Sequence, residues 1–274
     1  MAIITITRGL HSGGEAIAES IAETLGAQCI SSEVLTEAAK KYNVPEDKML
    51  KVFENTPGFW ERMTESRRIH LAYIQATLAD LAKTDKLVYH GNLGQEILRE
   101  VPHVLKVRLM FPIEARVKRI MERFNYSREQ AEKFVEQIDE DRTRRSRYFF
   151  NSDWRDPSRY DIVIRMDRVT PTAAKKMIIE LSKEPEFILS KDKGPAFQDF
   201  IIKSRVYAAL ASAMVGRLSL INVTVDHGVV TLQGTLTSNE ALVEDLVAQV
   251  EKIEGVTHVH NEIVVGLVYQ EWNV

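Results

Sequence analysis

A chain of 274 residues with 45% hydrophobic and 27% charged side chains can bury a substantial core, which excludes a disordered chain. Its formal net charge of −3 argues against a general nucleic-acid binder, which would be basic. A single cysteine, Cys29, excludes an internal disulfide, and no apolar run reaches the ~20 residues of a membrane span, so a cytoplasmic protein without a transmembrane segment is expected.

Residues 2–7 are β-rich and mostly apolar, as in a buried parallel strand. A short turn, Ser12-Gly13-Gly14, follows. Ile17, Ile21, Ala22 and Leu25 then fall at helical spacing, and Gly26 ends the helix. "AQCIS" is a short second strand, and "EVLTEAAKKYNV" and "PEDKMLKVFEN" are helical. "TPGF" breaks the chain before a long helix from about Trp60 to Ala82, with Met63, Ile69, Tyr73, Ile74, Leu78 and Leu81 mostly on one broad face. "KLVYHG" and "VLKVRLMF" are the third and fourth strands, and "IEARVKRIMERF" is the helix after them. "SREQ" at Ser127–Gln130 is a capping box that opens another helix. "YDIVIRM" is a fifth strand, and a last helix starts with Thr170 as cap and Pro171 at its first position. Alternating strand and helix predicts an α/β fold with a parallel sheet flanked by helices over residues 1–183.

Residues 184–196, with two prolines, a glycine and mixed charge, read as a linker. Beyond it, over 197–268, the pattern becomes helix, two alternating strands around Asp226-His227-Gly228, a helix capped by Thr237–Glu240, and a third strand. This is a small α+β unit of order α-β-β-α-β. His258 and His260 share one strand face but lack the further ligands a metal site needs, so no metal-binding residue is assigned.

Ser12-Gly13-Gly14 lies between a strand and a helix, where backbone N–H groups and the helix N-terminus together cradle phosphate. "ITITRGLHSGGEAIAESIAETLG", with Thr7-Arg8 before Ser12-Gly13-Gly14, resembles the N-terminus of the cytidylate kinase-like family of P-loop nucleoside monophosphate kinases. "LVYHGNLGQEIL", "EARVKRIMER" and "DEDRTRRSRYFFNSDWRDPSRYDIVI" resemble its later segments in order, over roughly residues 1–182. The resemblance implies a P-loop NTPase-like sheet, ATP with Mg²⁺, and phosphate transfer to a nucleoside monophosphate or similar acceptor.

The resemblance puts nucleotide binding on His11, Ser12, Gly13, Gly14, His90, Gly91, Arg116 and Arg119. It gives the transition-state charge to Arg8 and to Arg142, Arg145 and Arg147 of an arginine-rich lid. Arg67 and Arg68 fall where it has a monophosphate-binding helix. The chain also departs from the pattern. Gly14, Glu15 and Ala16 follow Gly13, where an orthodox loop has lysine and a hydroxyl, and Glu15 replaces the arginine of the nearer branch. His11 replaces a glycine, Ser31-Ser32 replaces an Asp-Arg pair, and Gly91-Asn92-Leu93 replaces Gly-Arg-Asp. Glu15 suits a helix N-terminus but repels phosphate. A catalytically degenerate regulatory or sensor protein is therefore the alternative to an enzyme.

The C-terminal unit, about residues 198–267, resembles the BON domain through "GVVTLQG" and "GVTHVHNEI". That resemblance implies a binding or interaction module for a small ligand, a lipid surface or a protein partner, or for homo-oligomerisation.

Overall fold

The computed structural model describes residues 2–9, 13–54, 66–214, 218–237 and 240–266. The chain divides into two compact units: Met1–Thr56 with Leu81–Lys193, and Pro57–Asp80 with Gly194–Val274.

The first unit is built on five parallel strands, β1 (Ile3–Arg8), β2 (Gln28–Ile30), β3 (Leu87–His90), β4 (Val104–Met110) and β5 (Ile162–Arg165), in the order β2-β3-β1-β4-β5. β1 is almost wholly buried because both its faces are covered, so apolar residues run along it without alternation. Helix α1 (Gly14–Leu25) lays Ile17, Ala18, Ile21 and Ala22 against Ile4 and Ile6, with Leu105, Val107 and Ile178 in the same core. Burying each isoleucine, leucine or valine side chain among them contributes about 1.5–3 kcal/mol. The helix stops at Gly26, whose φ of 59° returns its N–H to the last carbonyls. Cys29 packs partly against this core, and burial pushes its thiol up to about 11, so it stays protonated at neutral pH.

Helices α2 (Glu33–Lys41) and α3 (Glu46–Glu54) follow β2. Between β3 and β5 lie a single helical turn, α5 (Gly94–Ile97), then α6 (Ile113–Phe124) and the 23-residue α7 (Arg128–Phe150). The Ser127–Gln130 box is closed in both directions, as the sequence predicts, and α7 then runs through the whole arginine cluster without a break. Helix α8 (Pro171–Leu181) is capped by Thr170 Oγ1, which accepts from the Ala173 N–H at 3.2 Å.

The expected long helix before β3 is described as α4 (Ser66–Ala82), and its sequence reading needs correction. Leu71, Ala72, Ala76 and Ala79 are buried as well as Ile69, Ile74 and Leu78, so the helix is covered around most of its circumference rather than on one face. Its first fifteen residues group with the second unit. There Tyr73 Oη meets Ser212 Oγ at 3.1 Å, and the Asp80 carboxylate accepts from Arg205 at 2.9 Å and 3.0 Å.

The second unit also holds α9 (Gly194–Ala213), β6 (Ile221–Asp226), β7 (Val229–Leu236), α10 (Glu240–Glu251) and β8 (His258–Val265). Helix α9 begins at Gly194, inside the segment read as linker, with Pro195 early in its first turn. β6 and β7 pair antiparallel around His227-Gly228, both at positive φ, and β8 joins β7 in parallel. Val223, Val230, Leu232 and Val259 face inward, while Thr224, His258 and His260 face solvent. Among the described residues no helix is long and apolar enough to cross a membrane.

Candidate functional site

The site forms at the carboxyl end of β1, the central strand, where ligands of open α/β sheets collect. Gly13 caps α1 at φ 81°, a conformation that favours glycine. A Cβ there would lie 3.1 Å from Arg119 Nη1, so the Arg119 guanidinium lies against the turn. Gly14 starts the helix, and a Cβ there would lie 2.9 Å from Arg8 Cδ and 3.0 Å from Arg8 Cβ. The stem of Arg8 thus passes directly across Gly14. An orthodox loop has its lysine at this position, and here the cation arrives from β1 through the space a side chain at 14 would fill.

Arg8 is held on several sides. Its Nη2 is 3.5 Å from a Glu15 carboxylate oxygen, and its Nε and Nη2 are 3.4 Å and 3.3 Å from His90 Nδ1. Its backbone carbonyl accepts from Arg142 Nη1 at 2.7 Å. Arg142 is buried, and its guanidinium lies 5.3 Å above the ring of Trp154. Trp154 is fixed by donating from Nε1 to Thr143 Oγ1 at 3.1 Å and by accepting at its carbonyl from Tyr160 Oη at 2.6 Å. Burial, reinforced by the like charges of Arg116, Arg145 and Arg8, pushes the Arg142 guanidinium down to about 10 against the pull of Asp139. Among the described residues its one hydrogen bond is to the Arg8 carbonyl, so its other N–H groups are available to a ligand.

A cavity of about 470 Å³ opens beside Arg142. Ser31, Ser32, Asn92, Asp141 and Arg145 give it polar walls, and Leu35, Leu50 and Ile138 give it apolar ones. That volume and mixture suit a small-molecule ligand. Tyr89 and Gly91 complete the lining. Next to it, Thr7 Oγ1 donates to Gln95 Oε1 at 2.9 Å, while Gln95 Nε2 is buried with no partner among the described residues. An unpaired buried donor costs about 1–3 kcal/mol, which a bound ligand or water would relieve.

The structure thus gathers Arg8, Gly13, Gly14, His90, Gly91, Arg119, Arg142 and Arg145. Two of the expected residues are engaged in ion pairs. Arg116 makes a bidentate pair with Asp139, both bonds 2.7 Å, that ties α6 to α7. Arg147 is exposed and lies 3.6 Å from Asp153. His11 and Ser12 lie outside the described residues. Sequence reasoning assigned no site role to Asp141, Asn92, Gln95 or the three aliphatic walls, because short polar residues and leucines carry no motif of their own. Arg67 and Arg68 fall on α4, among the residues that group with the second unit.

In the second unit, Asp199, Asp226 and His227 form the group of potential metal ligands present among the described residues. Asp199 is already used there, accepting from the His227 and Gly228 N–H groups at 2.8 Å and 2.9 Å to cap the hairpin turn.

Residues 3–168 match the model of the cytidylate kinase-like family. The chain belongs to that family. Residues 198–266 match the BON domain. A cytidylate kinase from Methanosarcina barkeri is 27% identical over 172 residues, 60% of this chain and 87% of that one. The structure resembles that of an uncharacterized protein from Eubacterium ventriosum, with a TM-score of 0.51 and 23% identity, over 66% of this chain and 97% of that one. Shikimate kinase from Bacteroides thetaiotaomicron superposes with a TM-score of 0.42 and 13% identity, over 67% of this chain and 99% of that one. By its family, the first unit of this chain has a kinase-like nucleotide-binding fold.

Proposed function

We propose that the chain binds ATP at Gly13–Gly14 and transfers its terminal phosphate to a small acceptor, of the nucleoside monophosphate kind, held in the cavity. The observation that carries this reading is Arg142. It is a buried guanidinium with one hydrogen bond among the described residues, standing between the cavity and the loop residue Arg8. Phosphoryl transfer needs positioning and charge neutralisation more than covalent chemistry, and a preorganised arginine supplies both. Arg8 takes the role of the loop lysine, Arg119 lies over the turn, and Arg142 and Arg145 meet the transferring group from the cavity side. The family kinship to a cytidylate kinase supports the same reading.

Mg²⁺ is a hard cation that takes carboxylate and phosphate oxygens and keeps several waters. Glu15 fits it, with an exposed carboxylate in the first turn of α1 where orthodox loops offer a hydroxyl. Bound there, the ion would neutralise phosphate charge and offset the repulsion Glu15 otherwise exerts. We infer a cytoplasmic location, where ATP is supplied.

A second reading is favoured by the Glu15–Arg8 contact. A carboxylate already on the loop cation would let the domain bind nucleotide without turnover and signal through the BON domain. Calorimetric titration with ATP and Mg²⁺, then with CMP, followed by a transfer assay, separates the two. Binding of both with transfer supports the enzyme. ATP binding without transfer to any monophosphate supports the sensor, and no binding of ATP removes both.

A further inference from the structure

We propose that His90 is a positioning residue that orients Arg8 toward the phosphates, by accepting a hydrogen bond at Nδ1; this rests on the reading that the loop takes ATP. The register of the sheet pairs His90 with Ile6, which sets its ring beside Arg8, two residues further along β1. Two guanidinium nitrogens, Nε and Nη2, converge on the single atom Nδ1 at 3.4 Å and 3.3 Å. Arginine has donors and no acceptor, so Nδ1 must carry a lone pair. The ring is therefore neutral, with its proton on Nε2.

The surroundings keep it so. His90 is buried, and burial first and then the charge of Arg8 push its pKa down. The charged groups that face it are Arg8 from β1, Glu15 from α1 and Glu33 from α2. Both glutamates oppose the downward shift without reversing it.

The choice of a neutral acceptor has a physical reason. A carboxylate at position 90 would hold Arg8 as firmly, but it would cancel the cation and repel the ligand. Imidazole fixes the side chain and leaves its charge intact. Arg142 fastens the Arg8 carbonyl, Gly14 clears the path of the stem, and His90 aims the head.

The test is ATP titration, with Mg²⁺, of the full chain and of His90→Ala, His90→Asn, Arg8→Ala and the Arg8→Ala/His90→Ala double variant. His90→Ala is expected to weaken binding roughly tenfold, the scale of one hydrogen bond to a charged group. His90→Asn, whose Oδ1 replaces Nδ1 as acceptor, recovers most of that loss. In the Arg8→Ala background the His90 change has no further effect, because the residue acts through Arg8. The ¹⁵N signal of His90 Nδ1 in the unliganded wild type reads as unprotonated, and this readout does not depend on a variant folding.

Equal loss from His90→Ala with and without Arg8 overturns the positioning role, and so does a protonated Nδ1. A normal affinity in His90→Ala alongside a weakened Arg8→Ala overturns the His90 role alone. Unchanged affinity in Arg8→Ala, or no ATP binding by the wild type, overturns the functional reading and this inference with it.

Discussion

Substituting Gly14 by alanine tests whether Arg8 fills the space of the missing loop lysine. Gly14 is helical, and alanine is favoured over glycine in a helix by up to about 1 kcal/mol, so propensity by itself predicts stabilisation. The added Cβ, however, would stand 2.9 Å from Arg8 Cδ, 3.0 Å from Arg8 Cβ and 3.3 Å from Leu109 Cδ1. Two of these contacts are with the root and stem of Arg8 rather than its mobile tip, so the residue must shift as a whole. Overpacking of this kind costs about 1–3 kcal/mol, which outweighs the helix propensity and leaves a net loss of up to about 2 kcal/mol in Gly14→Ala. In an Arg8→Ala background the 2.9 Å contact with Cδ is gone while those with the position-8 Cβ and Leu109 Cδ1 remain, so the same substitution should cost clearly less. Urea unfolding of the four proteins reads the difference. A stabilising Gly14→Ala in the wild-type chain, or an equal loss in both backgrounds, would refute the argument that Arg8 occupies the lysine's place.

Arg142→Ala should weaken ATP binding by about tenfold or more, since it removes a charged donor and leaves the Arg8 carbonyl unpaired; calorimetry that finds the affinity unchanged would remove Arg142 from the site. Arg116→Ala or Asp139→Asn, each stripping one partner from a mostly buried bidentate pair, should destabilise by about 3 kcal/mol, whereas the double change Arg116→Met/Asp139→Leu should recover most of it in urea unfolding. Asp153 is held down to about 2 by hydrogen bonds from Arg155, below its ordinary 3.8. Its folded-state pKa is the lower one, so its contribution is present above about pH 4 and is lost as pH falls toward 2; Asp153→Asn should remove that part of the acid sensitivity between those limits, seen as a flatter urea midpoint against pH.

Much of this molecule is legible from local chemistry. The glycine turn after β1, the stop at Gly26, the Ser127–Gln130 box and the Thr170-Pro171 start are set by residues within a few positions of each other, so the sequence alone determined those boundaries. The alternation of strand and helix determined the parallel sheet, and the change of pattern beyond residues 184–196 pointed to a second small unit. The family kinship was also written in the ordered segments from Thr7 to Ile164.

Only the tertiary structure decided which side chains meet. Arg116 and Arg142 look alike in the sequence, yet one is paired by Asp139 through both oxygens, and the other, among the described residues, bonds only the Arg8 carbonyl beside the cavity, because of how α6 and α7 pack. Gly14 read as an absent lysine; in the fold it is the clearance through which Arg8 passes. The pattern of helix α4 pointed to one broad face, but the fold buries most of its circumference, and contacts at Tyr73 and Asp80 lie in the second unit, with which its first fifteen residues group. Periodicity reports how a residue relates to its own helix or strand. Partners 82 and 134 residues apart, His90 and Arg142 for Arg8, are set by how those elements pack, and no local pattern encodes that.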